Sequence, residues 1–170
     1  MKQQKQPHPY LIPVLCGTLA IALGVMLFAL LKTPDAETAA FVPPPFEENA
    51  VSGTPEVPEE LGYSSPYREG MGYRFSVCGD VTTEGENAIV YFTNPAGNET
   101  WLKLRILDGS GNLLGETGLL KPGEYVRSVH LNAPLADGAA VCLKIMGYEP
   151  DTYHSAGAVT LRTTARHTGS

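Results

Sequence analysis

From Tyr73 onward the sequence takes a period of two. Tyr73, Phe75 and Val77 alternate with Arg74, Ser76 and Cys78, and Leu102, Leu104 and Ile106 alternate with Lys103 and Arg105. The same holds for Val141, Leu143 and Ile145 against Cys142 and Lys144, and for Val159, Leu161 and Thr163 against Thr160, Arg162 and Thr164. Successive strand residues point to opposite faces, so this pattern predicts strands with one buried and one wet face. Turn formers separate the runs: Glu84-Gly85, Asn94-Pro95, Asp108-Gly109-Ser110-Gly111, Lys121-Pro122-Gly123, Asp137-Gly138 and Glu149-Pro150. Seven strands are expected near 73–81, 87–93, 101–107, 112–117, 124–131, 139–147 and 156–165. Short strands at this spacing, with no helical period among them, predict an all-β, immunoglobulin-like antiparallel β-sandwich over residues 73–165, with a tail at 166–170.

The N-terminal part obeys different rules. Met1–Pro9 is polar and carries Lys2 and Lys5, while Tyr10–Leu31 has no charged residue. At about 1.5 Å per residue, a helix of that length crosses a hydrocarbon core of about 30 Å. Pro13 falls in the first turn, where a missing N–H costs little. A cleaved signal peptide has an apolar region of only about 7–15 residues followed by a small-x-small site. This run instead ends in Leu30-Leu31-Lys32, and Cys16 lies inside it. An uncleaved transmembrane helix, a signal-anchor, is the expectation. The lysines before it place residues 1–9 in the cytoplasm and the C-terminal domain outside, at the cell membrane.

Residues 32–72 form the connection. They are rich in proline (Pro34, Pro43, Pro44, Pro45, Pro55, Pro58, Pro66) and in acids, against few bases. Prolines break helices and like charges extend a chain, so a stalk is expected. Phe46, Val51, Val57, Leu61 and Tyr63 lie through its later half and offer apolar side chains with which that half docks partly on the domain.

Three stretches carry a resemblance: FEENAVSGTPEVPEELGY, YFTNPAGNETWLKLRILDGSGNLLGETGLLKPGEYVRSVHL and LKIMGYEPDTYHSAGAVTLRTT. Together they resemble a group of small, single-pass, N-terminally anchored β-domain proteins of Gram-positive bacteria, over residues 41–165. The resemblance implies a cell-surface or cell-envelope β-domain and brings no catalytic residues with it.

Charge and motifs narrow the chemistry. The net charge of −6 speaks against nucleic acid as a partner, since phosphate binding needs concentrated Lys and Arg. The three cysteines are too few for a disulfide scaffold. Cys78 and Cys142 are expected on the wet faces of their strands, which speaks against a bridge between them. Cys16 reads as apolar filler. His8, His130, His154 and His167 show no metal-ligand spacing, and no nucleophile elbow appears. Asp108-Gly109-Ser110-Gly111 lacks the later acids of a calcium loop and reads as a turn. No metal, no cofactor and no enzymatic activity are expected.

The loop Gly147–Ser155 is the candidate binding surface, with Tyr148, Glu149, Asp151, Tyr153 and His154 in a short span. Loops at the end of a sandwich are where such scaffolds keep recognition residues, and tyrosines offer flat amphipathic area. Trp101, the only tryptophan, joins them from the wet face of its strand. The expected function is a membrane-anchored extracytoplasmic module that binds a protein or glycan, or serves as an accessory part of a cell-envelope complex. The alternative is a cell-surface hydrolase with an unmarked carboxylate site.

Overall fold

The computed structural model describes residues 11–31, 41–64, 68–69 and 72–167. Two units result, one through Val42 and one from Pro43. The expected cytoplasmic N-terminus, the first part of the stalk (32–40) and the last tail residues (168–170) lie outside the described residues.

Unit one holds a single described helix, α1 (Leu11–Leu31). Among the described residues no helix is long and apolar enough to cross a membrane.

Unit two is mainly β. Its strands are β1 (Val51–Ser52), β2 (Arg68–Glu69), β3 (Arg74–Phe75), β4 (Val81–Glu84), β5 (Asn87–Asn94), β6 (Trp101–Asp108), β7 (Leu113–Glu116), β8 (Glu124–His130), β9 (Ala140–Tyr148) and β10 (Ser155–His167). Among the described residues, eight of them form one mixed sheet in the order β1-β8-β5-β4-β10-β9-β6-β7. The sheet curls until its far edge returns to β8: Asn132, just past β8, donates its N–H to the Leu114 carbonyl of β7 at 2.7 Å. Strand β10 joins the two halves. It runs antiparallel to β9 from Ser155 to Thr164, then parallel to β4 from Ala165 to His167. Thus a continuous mixed sheet stands where two separate antiparallel sheets were expected.

The alternation reads correctly in the centre. Leu102, Leu104, Ile106, Val141, Leu143 and Ile145 are buried in one core with Phe75, Val81, Val90 and Phe92. The β6–β7 hairpin forms because Asp108 accepts hydrogen bonds from the N–H groups of Ser110 and Asn112, both at 2.8 Å, while Gly111 takes φ +90°. Its carboxylate is therefore already occupied by its own turn.

Three expectations are corrected. The strand drawn over 73–81 breaks after Phe75, and its second part becomes β4. Because the pleat is lost there, Cys78 is buried instead of wet, its N–H donated to the Val90 carbonyl at 2.9 Å. The tail expected from residue 166 is still strand at His167, whose Nε2 lies 2.8 Å from the Leu135 carbonyl oxygen.

Residues 43–64 run along unit two as a strap. The Leu119 N–H donates to the Pro45 carbonyl at 2.9 Å, and the Glu47 N–H donates to the Leu119 carbonyl at 3.0 Å. Then β1 adds to the edge beside β8. Farther on, Gly79 donates to the Gly62 carbonyl at 2.9 Å, and Tyr63 Oη and Thr93 Oγ1 are 2.6 Å apart.

Candidate functional site

At one end of the curled sheet several segments lie side by side. Phe46 bridges to Leu119, Leu120 bridges to Leu102, Trp101 faces Tyr148 across β6 and β9, and Tyr148 faces Ser155. Leu102 and Leu120 are fully buried, so the neighbours Trp101 and Lys121 emerge on the outer side. Three rings meet there. Trp101 contacts Phe46 with centroids 4.8 Å apart at 76°, and Tyr153 with centroids 5.1 Å apart at 62°. Both are edge-to-face arrangements, which the quadrupoles of the rings favour. The Lys121 ammonium stands 4.6 Å over the Phe46 ring and ends the row with a cation–π contact.

The turn between β9 and β10 delivers Tyr153. Glu149 donates its N–H to the His154 carbonyl at 2.8 Å, and Tyr153 donates its N–H to the Glu149 carbonyl at 3.0 Å. To close so tightly, Asp151 and Tyr153 adopt φ of +63° and +57°. A left-handed conformation is unfavourable for a bulky L-residue and persists only where its surroundings enforce it. Here it carries the Tyr153 ring to Trp101.

The sequence-selected residues thus separate into groups. Trp101 and Tyr153 touch, and Tyr148 is the cross-strand neighbour of Trp101, with its hydroxyl on the Met146 Sδ at 3.9 Å. Glu149 and His154 sit together in the turn, Nδ1 to Oε2 3.9 Å, both well exposed. Asp151 is exposed at the turn tip. Phe46, by sequence only a docking residue, is part of the ring row. Its signal was a lone aromatic between three prolines and two glutamates.

Below this end, the outer face carries an ion triad. Glu116 receives Lys103 Nζ and Arg105 Nε, each at 2.7 Å. Burial by itself would raise the Glu116 carboxyl, but the hydrogen bonds and charges of Lys103 and Arg105 outweigh it and hold it below its ordinary value. The Asp108 carboxyl is also held low, chiefly by its hydrogen bonds from Asn112. Burial pushes the Cys78 thiol up to about 12, so it is chemically quiet. A separate open cavity of about 410 Å³ is lined by Tyr73, Arg74, Asn98, Glu99 and Thr100. Among the described residues no group of three or more His, Cys, Asp or Glu is placed to hold a metal.

No protein-family model and no curated protein matches the chain. Two solved structures are distantly similar. One is CopC from Methylosinus trichosporium OB3b, at 17% identity over 54% of this chain and 88% of that one, with a TM-score of 0.34. The other is the Ruminococcus gnavus beta-glucuronidase in complex with uronic isofagomine, at 22% identity over 54% of this chain and 14% of that one, with a TM-score of 0.36.

Proposed function

We propose that the protein is a single-pass, membrane-anchored module that presents its β-domain outside the cell and binds a saccharide on the ring row Phe46–Trp101–Tyr153. Anchoring by Tyr10–Leu31, with a cytoplasmic N-terminus, follows from the charge-free run and the lysines before it. The β-domain supplies a scaffold for this: a packed core with recognition residues at one end. The observation that carries the reading is Trp101, half-buried between two other rings at the mouth of a strained turn. Rings fixed by neighbours lose little entropy on binding, and such aromatic anchors supply most of the energy of a recognition surface. Sugar rings present C–H faces and hydroxyls that suit amphipathic aromatics. The hydrolase alternative is less well supported, because a glycosidase acid needs a raised carboxyl pKa. Among the described residues, the two carboxyls that are clearly shifted, Asp108 and Glu116, are both lowered.

The test is a glycan array probed with the full chain in neutral detergent, wild type against Trp101→Ala with Tyr153→Ala. Capture of at least one glycan class should fall by about 2 kcal/mol or more in the double variant, with a smaller loss of folding stability. Capture per folded molecule that stays unchanged, or a wild type that captures nothing, refutes the reading.

A further inference from the structure

We propose that the saccharide is anionic, a chain carrying carboxylate or phosphodiester groups that lie across the outer face of β6, β9 and β10. This rests on the reading of Trp101 as a saccharide-binding ring.

The argument comes from register. The core-facing residues of β6 and β9 are Leu102, Leu104, Ile106, Val141, Leu143 and Ile145, so their neighbours Lys103, Arg105 and Lys144 all belong to the outer face. Arg105 lies directly opposite Lys144, and Arg162 of β10 lies opposite Cys142, next but one to Lys144 on β9. A cationic path therefore runs from Arg162 through Lys144 to Arg105; Lys103 follows, buried with its ammonium on Glu116, and Trp101 is the next outward residue on β6.

Charge accounting makes this path unusual. The chain as a whole is at −6, yet on this face Arg105, Lys144, Arg162 and the buried Lys103 stand against Glu116, while Arg166 farther along β10 is paired with Asp80. Glu116 is used by Lys103 and Arg105. Among the described residues no acid lies within ion-pairing distance of Lys144 or Arg162. Arg105 lies between Glu116 on β7, which pairs with it, and Lys144 on β9, whose other cross-strand neighbour is the uncharged Thr160, so the row Glu116–Arg105–Lys144 keeps a net positive charge. A face that leaves the charges of Lys144 and Arg162 uncompensated beside a row of rings suits a ligand that supplies the missing negative charge. A flexible chain fits better than a flat anionic bilayer. Glu116 stands within the cationic path, and Glu149 and Asp151 stand at its aromatic end, where a plane of lipid headgroups would meet them and a narrow chain need not.

The experiment uses the full chain in neutral detergent with two anionic polymers, polygalacturonate for carboxylate and phosphomannan for phosphodiester, beside their neutral counterparts, methyl-esterified galacturonan and mannan. Wild type should prefer at least one anionic polymer by about fivefold or more, and the preference should shrink as salt screens the charges. Lys144→Gln with Arg162→Gln should abolish the preference, keep binding to the neutral polymer, and leave the melting temperature nearly unchanged, because neither cation has an ion pair to lose. Equal binding of charged and neutral polymers, or a preference the double variant leaves intact, overturns the inference and spares the Trp101 reading. Loss of all polymer binding in the wild type overturns both. Binding confined to phosphatidylglycerol vesicles, and lost in the double variant, makes this a membrane-facing surface and overturns the inference as well.

Discussion

The strap at residues 43–64 and the body of the sheet in β6 and β9 are held to the same domain by different means. In β9 every second side chain is buried, and in β6 Leu102, Leu104 and Ile106 are, with Lys103 buried beside them on Glu116; the strands are held by packing as well as by their ladder. In the strap Pro55 is the buried residue, and Val51 is 48% exposed. Main-chain groups hold it instead: the carbonyls of Pro45 and Gly62 accept, the N–H groups of Glu47 and Gly53 donate, and the Glu47 carboxylate takes the Gly118 N–H at 2.6 Å. The contrast teaches that a proline-rich acidic segment, unsuited to a core, is still able to complete a sheet edge. It also brings Phe46 to Trp101.

This contrast is open to direct attack. Phe92→Ala, in the core, should cost about 3–5 kcal/mol in urea unfolding, whereas Val51→Ala should change stability by less than about 0.5 kcal/mol. Comparable losses would mean that side chains hold the strap after all.

Backbone proximity is the strap's own weakness. A Cβ at Gly118 would meet the Glu47 nitrogen at 2.5 Å and the Phe46 carbonyl carbon at 2.6 Å. Gly118→Ala should therefore cost about 2 kcal/mol and shift Trp101 fluorescence as Phe46 moves off the indole. An unshifted spectrum would show that the rings do not depend on the strap.

In the sheet body the ion triad sharpens the comparison through pH. Glu116→Gln leaves Lys103, only 7% exposed in its side chain, without its carboxylate, and should cost about 2 kcal/mol at pH 7. The carboxyl is held low in the fold, so its stabilisation is complete above the unfolded-state value of about 4.3. It is lost as pH falls through the lower folded value, and wild type and variant should converge there. A gap that persists at pH 2 would assign the loss to packing.

The smallest effect concerns the thiols. Under native conditions without reductant, a maleimide should modify half-buried Cys142 and spare Cys78, which is buried with its pKa at about 12. Rapid modification of Cys78 would place the turn after β3 among the readily opening parts of the domain.

The hairpin β6–β7 and the long pairing of β9 with β10 were legible because alternation and turn residues agreed there. Between Tyr73 and Val81 they did not. The alternating pattern continued through Cys78, but Ser76 and Val77 bond to Thr93 and Ser64 outside any regular ladder, and consecutive residues became buried. The candidate site was half legible. Trp101 and the tyrosines stood out by type, while Phe46 did not, because its place depends on a contact 55 positions away in the chain.

What the sequence determined by itself is local: the strand period, the Asp108 turn, the charge-free N-terminal run and the residue types at the β9–β10 turn. Each depends on neighbours a few positions apart, where backbone sterics and side-chain alternation act directly. Tertiary structure decided the rest. It joined two half-sheets through β10, laid the strap on the edge, buried Cys78, and set Phe46, Trp101 and Tyr153 in contact. Those outcomes depend on which distant surfaces exclude water together, and on main-chain hydrogen bonds that any residue type can make, so no residue pattern announces them.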